Sequence, residues 1–259
     1  MERDEAIHQY YSQDHDESRR LTRSGQGRLE FERTQAIVRA ATPRPARILD
    51  IGGGPGTHAA ALAEAGYDVV LVDVVEALVE EAKAHGSFEA LVGDARSLAF
   101  DDASFDAVLM AGPLYHLHTR ADRLLALREA ARVCRPGGAV HAAAIPRLVA
   151  FADMTTFPEF FREFAGQLMT MMLDGTPPVL EGTFPAGHFH TADELESEMT
   201  EAGLVDVEVV GLEGPNGLAM EFIEVGGEEY AAAKHLAEAW AGRREIANMS
   251  SHLFGTGRV

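Results

Sequence analysis

RILDIGGGPGT, residues 47–57, is a short apolar run that ends at an acid and breaks into glycines before an alanine-rich segment. The pattern predicts a first strand, a tight turn and the start of a helix. Glycines at positions 52, 54 and 56 allow the backbone to turn sharply and leave no side chain between it and a ligand. A bound ligand is therefore expected close to this loop.

The details of the loop favour one kind of ligand. The dinucleotide fingerprint needs its third glycine one position later than Gly56, with a pyrophosphate at the helix N-terminus. Asp50 also opposes a pyrophosphate, because it is an anion beside the loop, whereas it can attract a cationic amino-acid group directly or through water. We therefore expect a cationic nucleoside ligand without phosphate.

A second acid lies at the end of the next apolar run. Residues 68–73, DVVLVD, read as a buried strand. Asp73 stands at its C-terminal end, where a carboxylate can accept hydrogen bonds from both ribose hydroxyls of a nucleoside. A turn-forming aspartate is the alternative reading of the same residue.

The pattern Asp50-x-Gly52-x-Gly54-x-Gly56 resembles motif I of the class I S-adenosylmethionine (SAM) dependent methyltransferases, and further matches follow from Ile48 to Gly138. The likeness is greatest to small-molecule methyltransferases of the ubiquinone-biosynthesis type. It implies an α/β fold with a doubly wound, mostly parallel sheet of seven strands. It also implies methyl transfer from SAM to an O, N or C nucleophile of a small molecule, with S-adenosylhomocysteine as the other product.

The resemblance also assigns the cofactor site. The turn Gly93-Asp94-Ala95 resembles the family's adenine site, in which the acid accepts from the exocyclic amine and the next backbone N–H meets a ring nitrogen. The expected cofactor-binding residues are Asp50, Gly52, Gly54, Gly56, Asp73, Val74, Asp94, Ala95 and Ala111.

Three residues are candidates for catalysis or substrate contact. His116 follows the fourth predicted strand, beside the point where the strand order reverses, and an imidazole there can take a proton from the acceptor. Tyr11 lies in a predicted lid, and His188 lies in a loop leading out of a predicted cap. The alternatives are a histidine that fixes its loop and a tyrosine that packs a helix. His188 and His190 lack identifiable further ligands, so we expect no metal site.

Two arginines have open roles. Arg33 can reach the methionine carboxylate of the cofactor, since a guanidinium suits a planar anion, or it can be a solvated residue on a helix face. Arg147 follows the fifth predicted strand, either as a contact to an anionic substrate or as a surface residue.

The chain is expected to form a single domain of 259 residues. Its predicted parts are an N-terminal lid (1–42), a SAM-binding core (43–147), a substrate cap (148–187) and a C-terminal part of the sheet with a helical excursion (188–259). Phenylalanines and methionines crowd the cap, which suits a partly hydrophobic acceptor or simply packs the cap onto the core. The family resemblance implies that the last predicted strand, 251–259, is antiparallel at the sheet edge.

Composition limits the partners. A formal charge of −19 opposes binding to nucleic acid or to an anionic membrane. We find no apolar run of the ~20 residues that a membrane span needs and no apolar signal region, which predicts a cytoplasmic protein. The single cysteine, Cys134, is expected to be a small buried residue. The oligomeric state stays open.

Two other functions compete with methyl transfer. A nicotinamide-dependent oxidoreductase is disfavoured by the glycine spacing and by Asp50 beside the loop. A SAM-binding protein without catalysis shares every cofactor signal, so turnover to S-adenosylhomocysteine is what distinguishes it.

Overall fold

A computed structural model describes residues 3–13, 17–178 and 184–259. Parts of the predicted lid (1–2 and 14–16) and cap (179–183) lie outside these described residues. The strands are β1 (Arg47–Ile51), β2 (Asp68–Asp73), β3 (Glu89–Val92), β4 (Phe105–Met110), β5 (Cys134–Ala144), β6 (Val205–Gly211) and β7 (Leu253–Arg258).

In the described part of the chain these strands form one seven-stranded sheet in the order β3-β2-β1-β4-β5-β7-β6. Strands β1 to β5 pair in parallel, and β7 runs antiparallel to both β5 and β6. The order reverses between β1 and β4, where open α/β sheets bind ligands. The predicted fold class is confirmed.

The position of β7 corrects one expectation. β7 is antiparallel as predicted, but it lies inside the sheet, hydrogen-bonded to β5 on one side and to β6 on the other, and β6 forms the edge. Helix side chains cover β7 closely, since a Cβ on Gly255 would lie 2.3 Å from the sulfur of Met199. Glycine thus allows this interior strand to pass beneath a helix.

Helices cover both faces of the sheet. They are α1 (Arg3–Gln13), α2 (Gly25–Ala41), α3 (Thr57–Glu64), α4 (Glu76–His85), α5 (Arg120–Val133), α6 (Arg147–Thr155), α7 (Pro158–Asp174), α8 (Ala192–Glu201), α9 (Glu228–Trp240) and α10 (Arg244–Ala247). One core cluster joins Leu49 and Val108 to Leu127 of α5 and Leu195 of α8. The opposite cluster packs Ile48 and its neighbours against α2, α3 and α4. The central strands β1, β2 and β4 are buried on both faces for most of their length, and their sequences are accordingly mostly apolar.

Arg147 anchors α6 and α7 and does not face the predicted ligand side. Its side chain is buried, donates to the carbonyl oxygen of Leu173 at the end of α7 (2.9 Å) and pairs with Glu194. Glu194 is also the third residue of α8, and it forms a capping box with the N-cap residue Thr191. Both open readings of Arg147 are therefore wrong, and its role here is to satisfy carbonyl groups at a helix end.

Two further predictions concern the single cysteine and membrane-spanning helices. Cys134 is a buried free thiol, as predicted. Among residues 3–13, 17–178 and 184–259, no helix is both long and apolar enough to cross a bilayer.

Candidate active site

A cavity opens beyond the carboxyl ends of β1, β2 and β4. Eight of the nine predicted cofactor residues line it, namely Asp50, Gly52, Gly54, Asp73, Val74, Asp94, Ala95 and Ala111. Gly56 is the exception. It precedes α3 with φ +88°, and a Cβ there would lie 2.6 Å from the ring of Phe88. Gly56 thus permits close packing behind the loop and does not line the cavity.

Gly54 presents its backbone to the cavity. Its φ of +56° lies in the left-handed region, which side chains other than glycine rarely adopt. A Cβ at this position would meet only the Cγ atom of Glu17, at 3.9 Å. The space above Gly54 is therefore open to a ligand.

Asp73 organises the same loop. Its carboxylate accepts hydrogen bonds from the backbone N–H groups of Gly54 and Val75, each at 2.9 Å. A carboxylate can accept about four hydrogen bonds, so capacity remains for two ligand hydroxyls. The side chain is buried, which raises the pKa of Asp73 although both N–H donors favour the charged form. Asp73 can thus hold the loop and a ribose at once.

Asp50 is buried without compensation. Neither carboxylate oxygen has a hydrogen-bond partner among the described residues. Burial, reinforced by the nearby Asp73, raises the pKa of Asp50 to about 7. A buried acceptor of this kind is costly unless a ligand or water satisfies it, and a cationic group would do so best.

Asp94 lines the cavity from the turn that follows β3. It pairs with Arg96, with Nη2 and Oδ2 at 2.6 Å, and accepts from the backbone N–H of Arg96 at 2.8 Å. These contacts fix the turn after β3, so Asp94 and Ala95 reach the cavity from one rigid strand end.

His116 and Tyr11 meet at this cavity. The Nδ1 atom of His116 lies 2.9 Å from the carbonyl oxygen of Pro185, and Nε2 lies 3.0 Å from the Tyr11 hydroxyl. A carbonyl only accepts, so Nδ1 carries the proton and Nε2 accepts from Tyr11. Burial lowers the pKa of His116 to about 4 and raises the pKa of Tyr11 well above its usual value. The imidazole is therefore neutral at physiological pH, with its lone pair on Nε2.

His188 lies elsewhere. It lines a second cavity together with His118, Arg123 and Glu198, and its ring contacts that of His190 at 4.6 Å. The structure therefore places Tyr11 beside His116, whereas His188 lies at a different cavity.

Arg33 does not reach the cavity. Its buried guanidinium donates to the carbonyl oxygens of Gly211, Leu212 and Ala237 at 2.8–3.0 Å. Both readings of Arg33 from the sequence are wrong, because this arginine ties α2 to the end of β6. The arginine of the N-terminal segment that does line the cavity is Arg20, which sequence reasoning missed.

The loop that carries His116 is held by a buried ion pair. Arg123 pairs with Glu198 at 2.7 Å and also donates to the carbonyl oxygen of His118. Burial raises the pKa of Glu198, but hydrogen bonds from His190 and Arg123 outweigh it and hold the pKa at about 2. The pair is thus charged and shielded from water.

Arg123→Met is expected to destabilise the protein by about 3–5 kcal/mol, because it leaves the buried charge of Glu198 without its guanidinium partner. Arg128→Met is the matched control, since the exposed Arg128 of the same helix pairs with the exposed Glu201 at 3.8 Å and should lose much less stability. Urea unfolding measures both free energies. An equal loss in the two variants would contradict the importance of the buried pair.

Comparison with known proteins agrees with this architecture. Residues 48–138 match the family model described as a methyltransferase domain. A demethylmenaquinone methyltransferase of Roseiflexus castenholzii is 34% identical over 195 residues, which cover 70% of this chain and 77% of that protein. A demethylmenaquinone methyltransferase of Beutenbergia cavernae is 41% identical over 106 residues, covering 40% of this chain and 43% of that protein. The chain thus spans less than half the length of this relative.

A solved structure has the same fold. The protein of Thermotoga maritima described as a SAM-dependent methyltransferase, possible histamine N-methyltransferase, superposes with a TM-score of 0.63 at 19% identity and covers 98% of both chains. At this identity the likeness concerns the fold alone. The shared fold and the long match to the Roseiflexus enzyme together assign the family. The chain belongs to the class I SAM-dependent methyltransferase family.

Proposed function

We propose that this enzyme transfers the methyl group of SAM to a small, partly hydrophobic acceptor and releases S-adenosylhomocysteine. The observation that carries the proposal is the neutral His116, whose unprotonated Nε2 lies at the cavity of the glycine loop and is hydrogen-bonded to a lid residue, Tyr11. The nicotinamide alternative has no support from the relatives, and a protein without catalysis would not need this base.

The residues at the cavity fit SAM. Gly54 leaves room that any Cβ would fill, Asp73 has free acceptor capacity for ribose hydroxyls, and the unpartnered Asp50 suits an ammonium group. Asp94 and Ala95 would hold the adenine edge. SAM supplies a methyl group that its sulfonium already activates, so the protein has to align the acceptor and exclude water.

His116 would act on the acceptor. Its Nε2 accepts a hydrogen bond from Tyr11 in this structure, and an acceptor O–H, N–H or acidic C–H would take the place of that hydroxyl. The Nδ1–H bond to Pro185 keeps the imidazole in the tautomer that can remove the proton. Tyr11 would then leave its hydrogen bond and cover the bound acceptor from the lid.

Aromatic side chains favour an acceptor with an apolar part. The ring of Phe184 lies 5.1 Å from that of His116 and 5.9 Å from that of Tyr10. Phe184 also lines a further cavity with Phe157, Phe160 and Phe189, at α6 and α7. The contact between Phe184 and Tyr10 supports roles for residues 1–42 as a lid and 148–187 as a cap, beside a cofactor core of 43–147 and the rest of the sheet in 188–259.

Asp50→Asn is expected to weaken SAM binding about ten-fold, because it removes the buried negative charge that faces the ammonium group. With a pKa of about 7, Asp50 is roughly half protonated at pH 7 and would lose that proton when the cation binds. The wild type should therefore release about half a proton more than the variant on binding SAM. Calorimetry in buffers of different ionisation enthalpy measures the difference, and equal proton release would contradict the contact.

Acceptor screening tests the function itself. The wild-type protein, SAM and a panel of small hydroxylated, amine and carbon acceptors should yield products heavier by one methyl group in mass spectrometry, with equimolar S-adenosylhomocysteine. Tight SAM binding with no turnover across the panel would favour a protein that binds SAM without catalysis.

A further inference from the structure

Arg20 is a cation held in one orientation at the cofactor cavity. It lines the cavity together with Gly52 and Gly54. Its two terminal nitrogens, Nη1 and Nη2, donate to the two carboxylate oxygens of Glu30 at 2.6 and 3.0 Å. This bidentate pair saturates one edge of the guanidinium and fixes its plane.

Glu30 is itself held by groups from the far end of the chain. Its carboxylate lies 3.5 Å from Nδ1 of His252, and His252 pairs with Glu213 at 2.7 Å. Ser250 donates to the other carboxylate oxygen of Glu213 at 2.7 Å. Burial lowers the pKa of His252, but Glu30 and Glu213 outweigh it and raise the pKa above the usual value. The side chains of Glu30, Glu213 and His252 could also be read as metal ligands, yet each already has a hydrogen-bonding or ionic partner.

The remaining edge of Arg20 is directed to Glu17. Its Nε donates to Oε1 of Glu17 at 2.6 Å. The side chain of Glu17 also lines the cavity, and its Cγ atom is the nearest atom to a Cβ built on Gly54. One carboxylate of the chain thus lies over the glycine loop, on the free edge of a fixed arginine.

Two other groups at the cavity lack partners. The Oε1 atom of Gln35 accepts from Arg39, so its Nε2 donates to Nδ1 of His58, and the proton of that imidazole lies on Nε2. This Nε2, like both carboxylate oxygens of Asp50, is buried with no partner among the described residues. An unsatisfied donor and an unsatisfied acid in the cavity that Arg20 lines are complementary to the carboxylate and ammonium groups of an amino acid.

We propose that Arg20 binds the α-carboxylate of SAM through the edge that Glu17 occupies in this structure, so that Glu17 is a placeholder which the cofactor displaces. The inference rests on the proposed function. Glu30, with His252 and Glu213, is then a positioning residue, since it acts on the cofactor only through Arg20.

Arg20→Lys tests the carboxylate contact. Lysine keeps a positive charge for Glu30 but cannot serve two carboxylates with a planar fork. SAM affinity should fall at least about ten-fold, while the affinity for decarboxylated SAM, which keeps the ammonium and the nucleoside, should change less than about two-fold. Arg19→Lys, at an exposed residue of the same turn, should change neither. Calorimetry gives all the affinities, and an equal loss for both ligands would overturn the proposal.

Glu17→Gln tests the placeholder. Removing the competing carboxylate should raise SAM affinity several-fold and leave decarboxylated SAM unaffected. A loss of affinity for both ligands would instead mean that Glu17 binds the ammonium group, which refutes displacement. The wild type separates the two proposals, because SAM turnover without any preference for SAM over its decarboxylated form would refute only this inference.

Discussion

Gly54→Val is expected to abolish measurable SAM binding while the protein stays folded. The backbone of Gly54 has φ +56°, and a Cβ there would enter the cavity, where the nearest atom of the described residues beyond its chain neighbours is Cγ of Glu17 at 3.9 Å. The Cβ of valine would therefore occupy ligand space without a clash against the described residues of the free protein. We expect affinity to fall at least about 100-fold, or about 2.7 kcal/mol.

The control for Gly54→Val separates backbone strain from exclusion of the ligand. Gly137 has φ +79°, no atom within 4 Å of its added Cβ, and no part in the cavity. Gly137→Val should suffer a similar strain of about 1–2 kcal/mol, because valine disfavours the left-handed region. Thermal unfolding should show comparable losses, and calorimetry should show SAM binding only for the Gly137 variant. If both bound SAM normally, the loop would not be the cofactor site.

Much of the sheet could be predicted because its central strands are buried on both faces. The run Val69 to Val72 is continuous and apolar, Ile48 to Ile51 is interrupted only by the buried Asp50, and each ends beside the cavity. The glycines of the loop and Asp73 follow from the same local logic, since strand, turn and helix start are adjacent in sequence.

The position of β7 could not be predicted in this way. Its sequence, LFGTGR, mixes glycine and polar residues and resembles an edge strand. Whether such a strand lies at the edge depends on which partners it finds, and β5 lies more than 100 residues earlier.

The roles of the charged residues in the N-terminal segment were harder still to predict. Arg20 and Arg33 look alike in sequence, but the first lines the cavity and the second is bound to carbonyl groups near residue 211. One signal was present. Glu30 and Arg33 lie on the same buried side of α2 as Leu29, and charges on the inner face of a helix require partners elsewhere.

The structure also changes the chemistry expected of His116. A base with an ordinary imidazole pKa near ~6.5 would lose activity below neutrality. Here burial lowers the pKa of His116 to about 4, so the imidazole is protonated only in acidic solution. The acceptor's own proton then sets any pH dependence near neutrality.

His116→Ala is expected to lower the methyl-transfer rate about 10² to 10⁴-fold while SAM affinity stays nearly unchanged, because the variant removes the proton acceptor and leaves the loop glycines and acids in place. The catalytic form is neutral and the pKa is about 4, so the wild-type rate should rise with pH up to about 5 and stay level above about 6.

His116→Asn separates catalysis from positioning, since an amide can accept one hydrogen bond but cannot take the proton. Asparagine should therefore be as slow as alanine if His116 is the base, and should keep much of the rate if it only orients the acceptor. Single-turnover rates of both variants on the same acceptor, beside their SAM affinities, make the comparison. Near-wild-type rates in both would exclude either role, and Tyr11, the hydrogen-bonding partner of His116, would be the next residue to replace.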